Sequence, residues 1–128
     1  MPVTLRYIVD DVAAAIPFYV DHLGFTLKMP PAPGFASLTR DGMTLLLNSP
    51  GAGGAGASMP DGRKPAPGGW NRFQIECAGL AETVAAMKAK GCVFRSEIIQ
   101  GNGGRQILVE DPSGNPIELF EPPTRPPS

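Results

Sequence analysis

Few residues in this chain could do chemistry, and they lie far apart in the sequence. Glu118 sits inside the apolar run "PIELF", residues 116–120, where a carboxylate is costly to bury without a partner. Arg6 and Arg72 lie in two other apolar-rich stretches, "VTLRYIV" (3–9) and "WNRFQIEC" (70–77). The only histidine is His22, and the two cysteines, Cys77 and Cys92, form no CxxC. His22 falls at the end of a helical pattern, where the dipole favours it, so no Ser-His-acid or Cys-His constellation is expected. The cysteines read as reduced, small core residues. "GAGGAG" (51–56) lacks the following Lys-Ser/Thr and helix pattern of a phosphate loop. A carboxylate, two guanidiniums and one tryptophan, Trp70, remain. These groups bind and orient a partner; none is a nucleophile.

Their positions depend on short elements that the sequence spells out. "VTLRYIV" reads as a strand, and Asp10 or Asp11 can cap the helix that follows. Val12, Ile16, Tyr19 and Leu23 share one helical face, and Gly24 suits the C-terminal cap. Pro17 lies inside this pattern and should kink it or mark an irregular turn. "FTLKM", "GFASLTR" and "GMTLLLNS" read as three strands. After residues 50–69, rich in Gly, Ala and Pro, the order returns. "WNRFQIEC" is a strand, "GLAETVAAMKAKG" a helix with Leu80, Val84 and Met87 on one face, and "CVFRSEII", "RQILVED" and "NPIELFE" are three strands.

The chain is therefore a tandem β-α-β-β-β repeat: 1–49, a linker or flap at 50–69, 70–122, and a tail at 123–128. The Gly-rich stretch offers little to bury, so shortening it should barely change stability. Laying the halves together puts Thr4 on Arg72, Val12 on Leu80, Gly24 on Gly91, Leu38 on Leu108, Asp41 on Asp111 and Leu46 on Glu118.

Composition excludes other classes. The net charge is -1, from 11 basic and 12 acidic residues among 128, which leaves no footprint for nucleic acid or an anionic membrane. No apolar run approaches the roughly 18 residues of a membrane span. The start, "MPVTLRYIVDD", lacks the pattern of a signal peptide, and a cytoplasmic location is expected.

"YIVDDVAAAIPFYVDHLGF" and "LVEDPSGNPIELFEP" resemble the vicinal oxygen chelate superfamily, the glyoxalase / bleomycin-resistance / extradiol-dioxygenase group. The resemblance covers nearly the whole chain. It implies an α+β fold in which two βαβββ repeats form half-open, barrel-like sheets around a cleft, and it implies a homodimer. Poorly covered sheet edges in so small a chain favour the dimer as well. Strand parity places Thr4, Arg6, Trp70, Arg72, Gln74, Glu118 and Phe120 on the cleft face. The superfamily's enzymes bind a divalent metal at four equivalent places, here Thr4, Leu46, Arg72 and Glu118. Only Glu118 is a ligand type, and a catalytic ion needs about three. No metal or other cofactor is therefore expected.

Arg72 and Glu118 suit a two-pronged guanidinium–carboxylate pair, which serves either as a tie between strands or as part of a ligand site. Trp70 suits either stacking on a planar ligand or covering a subunit interface. The expected function is non-enzymatic binding of a small molecule, such as antibiotic sequestration. The alternatives are a metal-dependent lyase, isomerase or dioxygenase with ligands outside this alignment, and a vestigial cleft.

Overall fold

The computed structural model describes residues 1–123; apart from Pro123, the expected tail lies outside them. The chain forms two compact units. One is Met1–Gly68 with the turn Pro112–Asn115, and the other is Gly69–Asp111 with the strand that begins at Pro116.

The first unit runs β1 (Leu5–Ile8), α1 (Val12–Pro17), β2 (Thr26–Leu27), β3 (Phe35–Arg40) and β4 (Met43–Asn48), in the sheet order β1-β4-β3-β2. β1 is parallel to β4, while β3 is antiparallel to both β4 and β2. Asp11 caps α1 by accepting from the Ala14 amide. Regular α-helical bonding stops at Pro17, which has no N–H to donate, and the chain continues as a π-type turn over Phe18–His22. The wider turn draws Phe18 inward beside Tyr19, with ring centroids 5.2 Å apart and edge to face. Tyr19 meets Phe25 in the same way at 5.7 Å. Val12, Tyr19 and Leu23 of the expected stripe are buried and Ile16 is half-buried. The β3–β4 hairpin turns on Asp41 and Gly42, with φ of 48° and 81°, the left-handed pair that a two-residue hairpin requires.

The Gly-rich stretch is irregular but wound. The Gly56 amide donates to the Ala52 carbonyl at 3.0 Å and the Ala52 amide to the Ser49 carbonyl at 3.1 Å. Gly56 is buried, and a Cβ there would stand 2.2 Å from the Ser49 carbonyl oxygen.

The second unit runs β5 (Gln74–Glu76), α2 (Leu80–Ala89), β6 (Val93–Phe94), β7 (Ile99–Gly101), β8 (Gly104–Glu110) and β9 (Pro116–Glu121). The sheet order is β5-β9-β8-β6, with β7 also pairing to β8. α2 buries Leu80, Val84 and Met87 as expected and packs on β9. The single strand expected from "CVFRSEII" is two. β6 pairs with Val109 and Glu110 and β7 with Gly104 to Gln106; the Arg95 amide still donates to the Leu108 carbonyl at 3.0 Å, and Ser96–Ile98 leave the ladder. Inside that break the Ser96 hydroxyl donates to the Glu97 carbonyl at 2.8 Å, a local bond that competes with strand pairing.

Register tests the alignment of the halves. Arg6 lies opposite Leu46 on a parallel neighbour, as Gln74 lies opposite Glu118, so Leu46 and Glu118 correspond. Across the antiparallel pairs, Leu46 faces Ser37 and Glu118 faces Leu108. Leu108 therefore matches Ser37, and Leu38 matches Val109, one residue away from the sequence alignment. Leu38 and Val109 are both fully buried, whereas Leu108 is only half-buried on the other face.

Candidate functional site

β9 is the central strand that carries Glu118, with β5 on one side and β8 on the other. Alternation turns Ile117 and Leu119 to the buried helix side and leaves Pro116, Glu118 and Phe120 on the opposite face. Glu118 is nevertheless only 9% exposed, so its charge needs compensation. It receives three donors. Oε1 accepts from Arg72 Nε at 3.1 Å and from Arg72 Nη2 at 3.0 Å. Oε2 accepts from Gln74 Nε2 at 2.6 Å. The expected pair is present, but the two guanidinium donors converge on one oxygen because Gln74 holds the other. The strand register sets this arrangement: Gln74 lies directly opposite Glu118, and Arg72 reaches in from two residues before β5.

Arg72 Nη1 also donates to the Trp70 carbonyl at 3.2 Å, so Trp70, Arg72, Gln74 and Glu118 form one connected group. The Trp70 side chain stays in the open, 70% exposed, with the Arg95 guanidinium 4.6 Å from its ring centroid. Arg95 Nε donates to Glu110 Oε2 at 2.9 Å, and Arg95 Nη1 donates to the Gly69 carbonyl at 2.7 Å. Trp70 thus lies between two arginine–glutamate pairs, one face against a guanidinium and the other open. Sequence reasoning missed Arg95 and Glu110. Phe120 is half-buried, and its ring closes over Gly104, where a Cβ would meet the Phe120 Cζ at 3.0 Å.

Thr4 and Arg6 belong to the first unit. Thr4 precedes β1 and is exposed. Arg6 donates through Nε to Asn48 Oδ1 at 2.9 Å, an acceptor on a buried β4 residue.

The donors do not fit a divalent metal. Of the four places that the sequence resemblance marks, Leu46 has no donor atom, Thr4 is a poor ligand, and Arg72 brings a cation. Both oxygens of Glu118 are already taken. Among the described residues, no three His, Cys, Asp or Glu side chains are placed to hold an ion. His22 packs beside Phe18, with ring centroids 5.7 Å apart. Cys77 Sγ donates to Thr83 Oγ1 at 3.3 Å. Burial pushes the Cys92 thiol up from its ordinary pKa, which disfavours the reactive thiolate.

A second carboxylate in this unit has a structural role. Glu121 Oε2 accepts from the Leu80 amide at 3.0 Å, capping α2, while Arg105 binds Oε1. Gly79, at the cap position, has no side chain to do this. The Leu80 amide, and then Arg105, hold the Glu121 carboxyl below its ordinary pKa. A carboxylate with a lowered folded pKa stabilises the fold above its unfolded value, and that contribution disappears as pH falls through the folded value. Glu121→Gln should therefore lower the melting temperature at pH 7 and have a much smaller effect at an acidic pH below the folded value of this group. Equal losses in thermal melts at both pH values would contradict this role.

The model of the Glyoxalase/Bleomycin resistance protein/Dioxygenase superfamily matches residues 2–119. Solved structures share the fold. A lactoylglutathione lyase from Agrobacterium tumefaciens superposes with a TM-score of 0.71 at 23% identity, covering 94% of this chain and 92% of that one. A glyoxalase/bleomycin resistance protein/dioxygenase from Nocardioides gives 0.72 at 24% identity, covering 100% and 89%. TnmS3, an antibiotic binding protein from Streptomyces sp. CB03234, gives 0.68 at 24% identity, covering 96% and 97%. No curated protein matches the chain.

Proposed function

The chain belongs to the Glyoxalase/Bleomycin resistance protein/Dioxygenase superfamily, and from that membership we propose that it binds a small organic molecule without the metal chemistry of the superfamily's enzymes. One observation carries this reading. The only metal-ligand side chain at the four family places, Glu118, spends both oxygens on Arg72 and Gln74. A divalent ion would have to displace a guanidinium from a largely buried carboxylate and then find its remaining ligands elsewhere. The open face of Trp70, the half-buried Phe120 and the unused N–H groups of Arg72 suit an aromatic ligand with a hydrogen-bond acceptor. Sequestration of an antibiotic is consistent with this face. The likeness to TnmS3 supplies a precedent for the fold alone.

Two measurements test the proposal together. Elemental analysis of protein purified without added metal is expected to find no stoichiometric Ni, Zn, Mn or Fe; a tightly bound equivalent would overturn it. A thermal-shift screen across planar aromatic antibiotics and small organic acids is expected to return at least one stabiliser. A ligand at about 100 times its Kd adds roughly 2.7 kcal/mol of stability. A screen with no stabiliser would favour a vestigial site.

We further propose a homodimer. Val93 and Ile99 stand 58% and 51% exposed on β6 and β7, the two strands that pair with the same edge of β8. Sedimentation at micromolar concentration showing only a 13.4 kDa species would count against it.

A further inference from the structure

The first unit holds a groove that the proposed function leaves unused. It is an open depression of about 670 Å³ between the start of α1 and the loop that follows β2, with Val12, Ile16, Pro31 and Pro33 among its apolar walls. Asp10 and Asp11, both exposed, are among its lining residues. The volume lies within the range of small-molecule sites, which are mostly apolar with a few placed polar groups.

Two features make it more than a gap between elements. Its walls are stiff. Pro31 and Pro33 have fixed φ, and the Gly34 wall is locked from behind. A Cβ on Gly34 would stand 2.5 Å from Ala52 Cβ and 2.7 Å from Ser49 Oγ. The Gly-rich turn therefore backs the groove, and a preformed wall lowers the ordering cost of binding. Its charge is also unanswered. Asp11 spends one carboxylate oxygen on the Ala14 amide at 3.3 Å. Asp10 is held through its backbone amide, which donates to Ser113 Oγ at 2.8 Å. Among the described residues, no cationic side chain pairs with either carboxylate. Two full negative charges outweigh the roughly half positive charge of a helix N-terminus, so the mouth favours a cation.

We infer that this groove binds a small organic cation with a compact apolar body, such as a protonated arylalkylamine. The ammonium sits against Asp10 and Asp11, and the apolar body lies along Val12, Ile16 and the two prolines. This site is separate from the Glu118 group and does not depend on it.

Phenethylammonium, phenethyl alcohol and phenylacetate share a shape and differ in charge, so they serve as probes. Titration of the ¹⁵N-labelled full chain with phenethylammonium is expected to give saturable amide shifts confined to α1, Asp10, Asp11, Ala32 and Gly34. The alcohol should bind more weakly and the carboxylate not at all. Asp10→Asn/Asp11→Asn keeps a good helix cap and should raise the Kd roughly three- to tenfold, the range expected of exposed charge pairs. Ala13→Phe leaves both carboxylates in place and narrows the groove; it should abolish the shifts. No saturable shift at millimolar cation, equal binding of the three probes, or shifts centred elsewhere would overturn the assignment.

Discussion

Asn115→Leu is expected to destabilise the protein by about 2–3 kcal/mol, because the side chain joins two backbone groups that nothing of similar shape can satisfy. Asn115 is 4% exposed. Its Nδ2 donates to the Ile8 carbonyl at 2.7 Å, and its Oδ1 accepts from the Gly68 amide at 2.8 Å. It thereby fastens the end of β1 and the end of the Gly/Pro-rich stretch to the turn Pro112–Asn115, all within the first unit. Leucine has the same number and branching of side-chain heavy atoms but neither donor nor acceptor, and it leaves both groups to find water. Gly68 is exposed and can do so; Ile8 is half-buried and cannot do so freely, which sets the estimate near the middle of the range. Asn115→Asp should be no better. It keeps the acceptor for Gly68 but turns a carboxylate toward the Ile8 carbonyl. Urea denaturation that places either variant within about 0.5 kcal/mol of the parent would reduce Asn115 to a turn residue chosen for its backbone.

How far these contacts could be read from the sequence depends on how local they are. The α2 stripe of Leu80, Val84 and Met87 was legible because helical periodicity is a short-range signal, and so was the Asp11 cap. The face of Glu118 was legible because strand parity needs only its neighbours in "PIELF". The partnership with Arg72 followed once the two halves were laid together. Three features escaped for physical reasons. The alignment of Leu38 on Leu108 matched like with like, but the side a strand residue faces is fixed by the ladder, and the ladder pairs Leu108 with Glu118. The break inside "CVFRSEII" is invisible to β-propensity because Val, Phe and Ile favour strands on both sides of it. It falls at a short polar run, in which Arg95 binds Glu110 and the Gly69 carbonyl, Ser96 bonds to the Glu97 carbonyl, and Glu97 pairs with Lys88. The Asn115 bond to Ile8 spans 107 positions, and no local rule predicts such a partner. The Gly-rich stretch is a subtler case. Its composition argues that it buries little, yet Gly56 is buried because only a residue without Cβ fits against the Ser49 carbonyl.

Arg72→Ala should cost about 2–3 kcal/mol, and the comparison with the double variant should say why. Breaking a fully buried ion pair typically costs about 3–5 kcal/mol, against under 1 for a solvated one. This pair lies between those limits: the side chains are 29% and 11% exposed, and Gln74 continues to bond one oxygen of Glu118 after Arg72 is gone. Most of the loss is the penalty of leaving the carboxylate with an uncompensated charge. Arg72→Met/Glu118→Leu should therefore cost less than Arg72→Ala alone, since it leaves no charge behind and fills a similar volume. Strictly additive effects of the single substitutions would mean that the two residues do not act as a pair. Ligand binding then separates architecture from recognition. A thermal-shift hit found with the parent protein should be lost in the double variant, although that variant is folded. If the double variant keeps the hit undiminished, the pair only ties β5 to β9, and recognition must rest on Trp70 and Phe120.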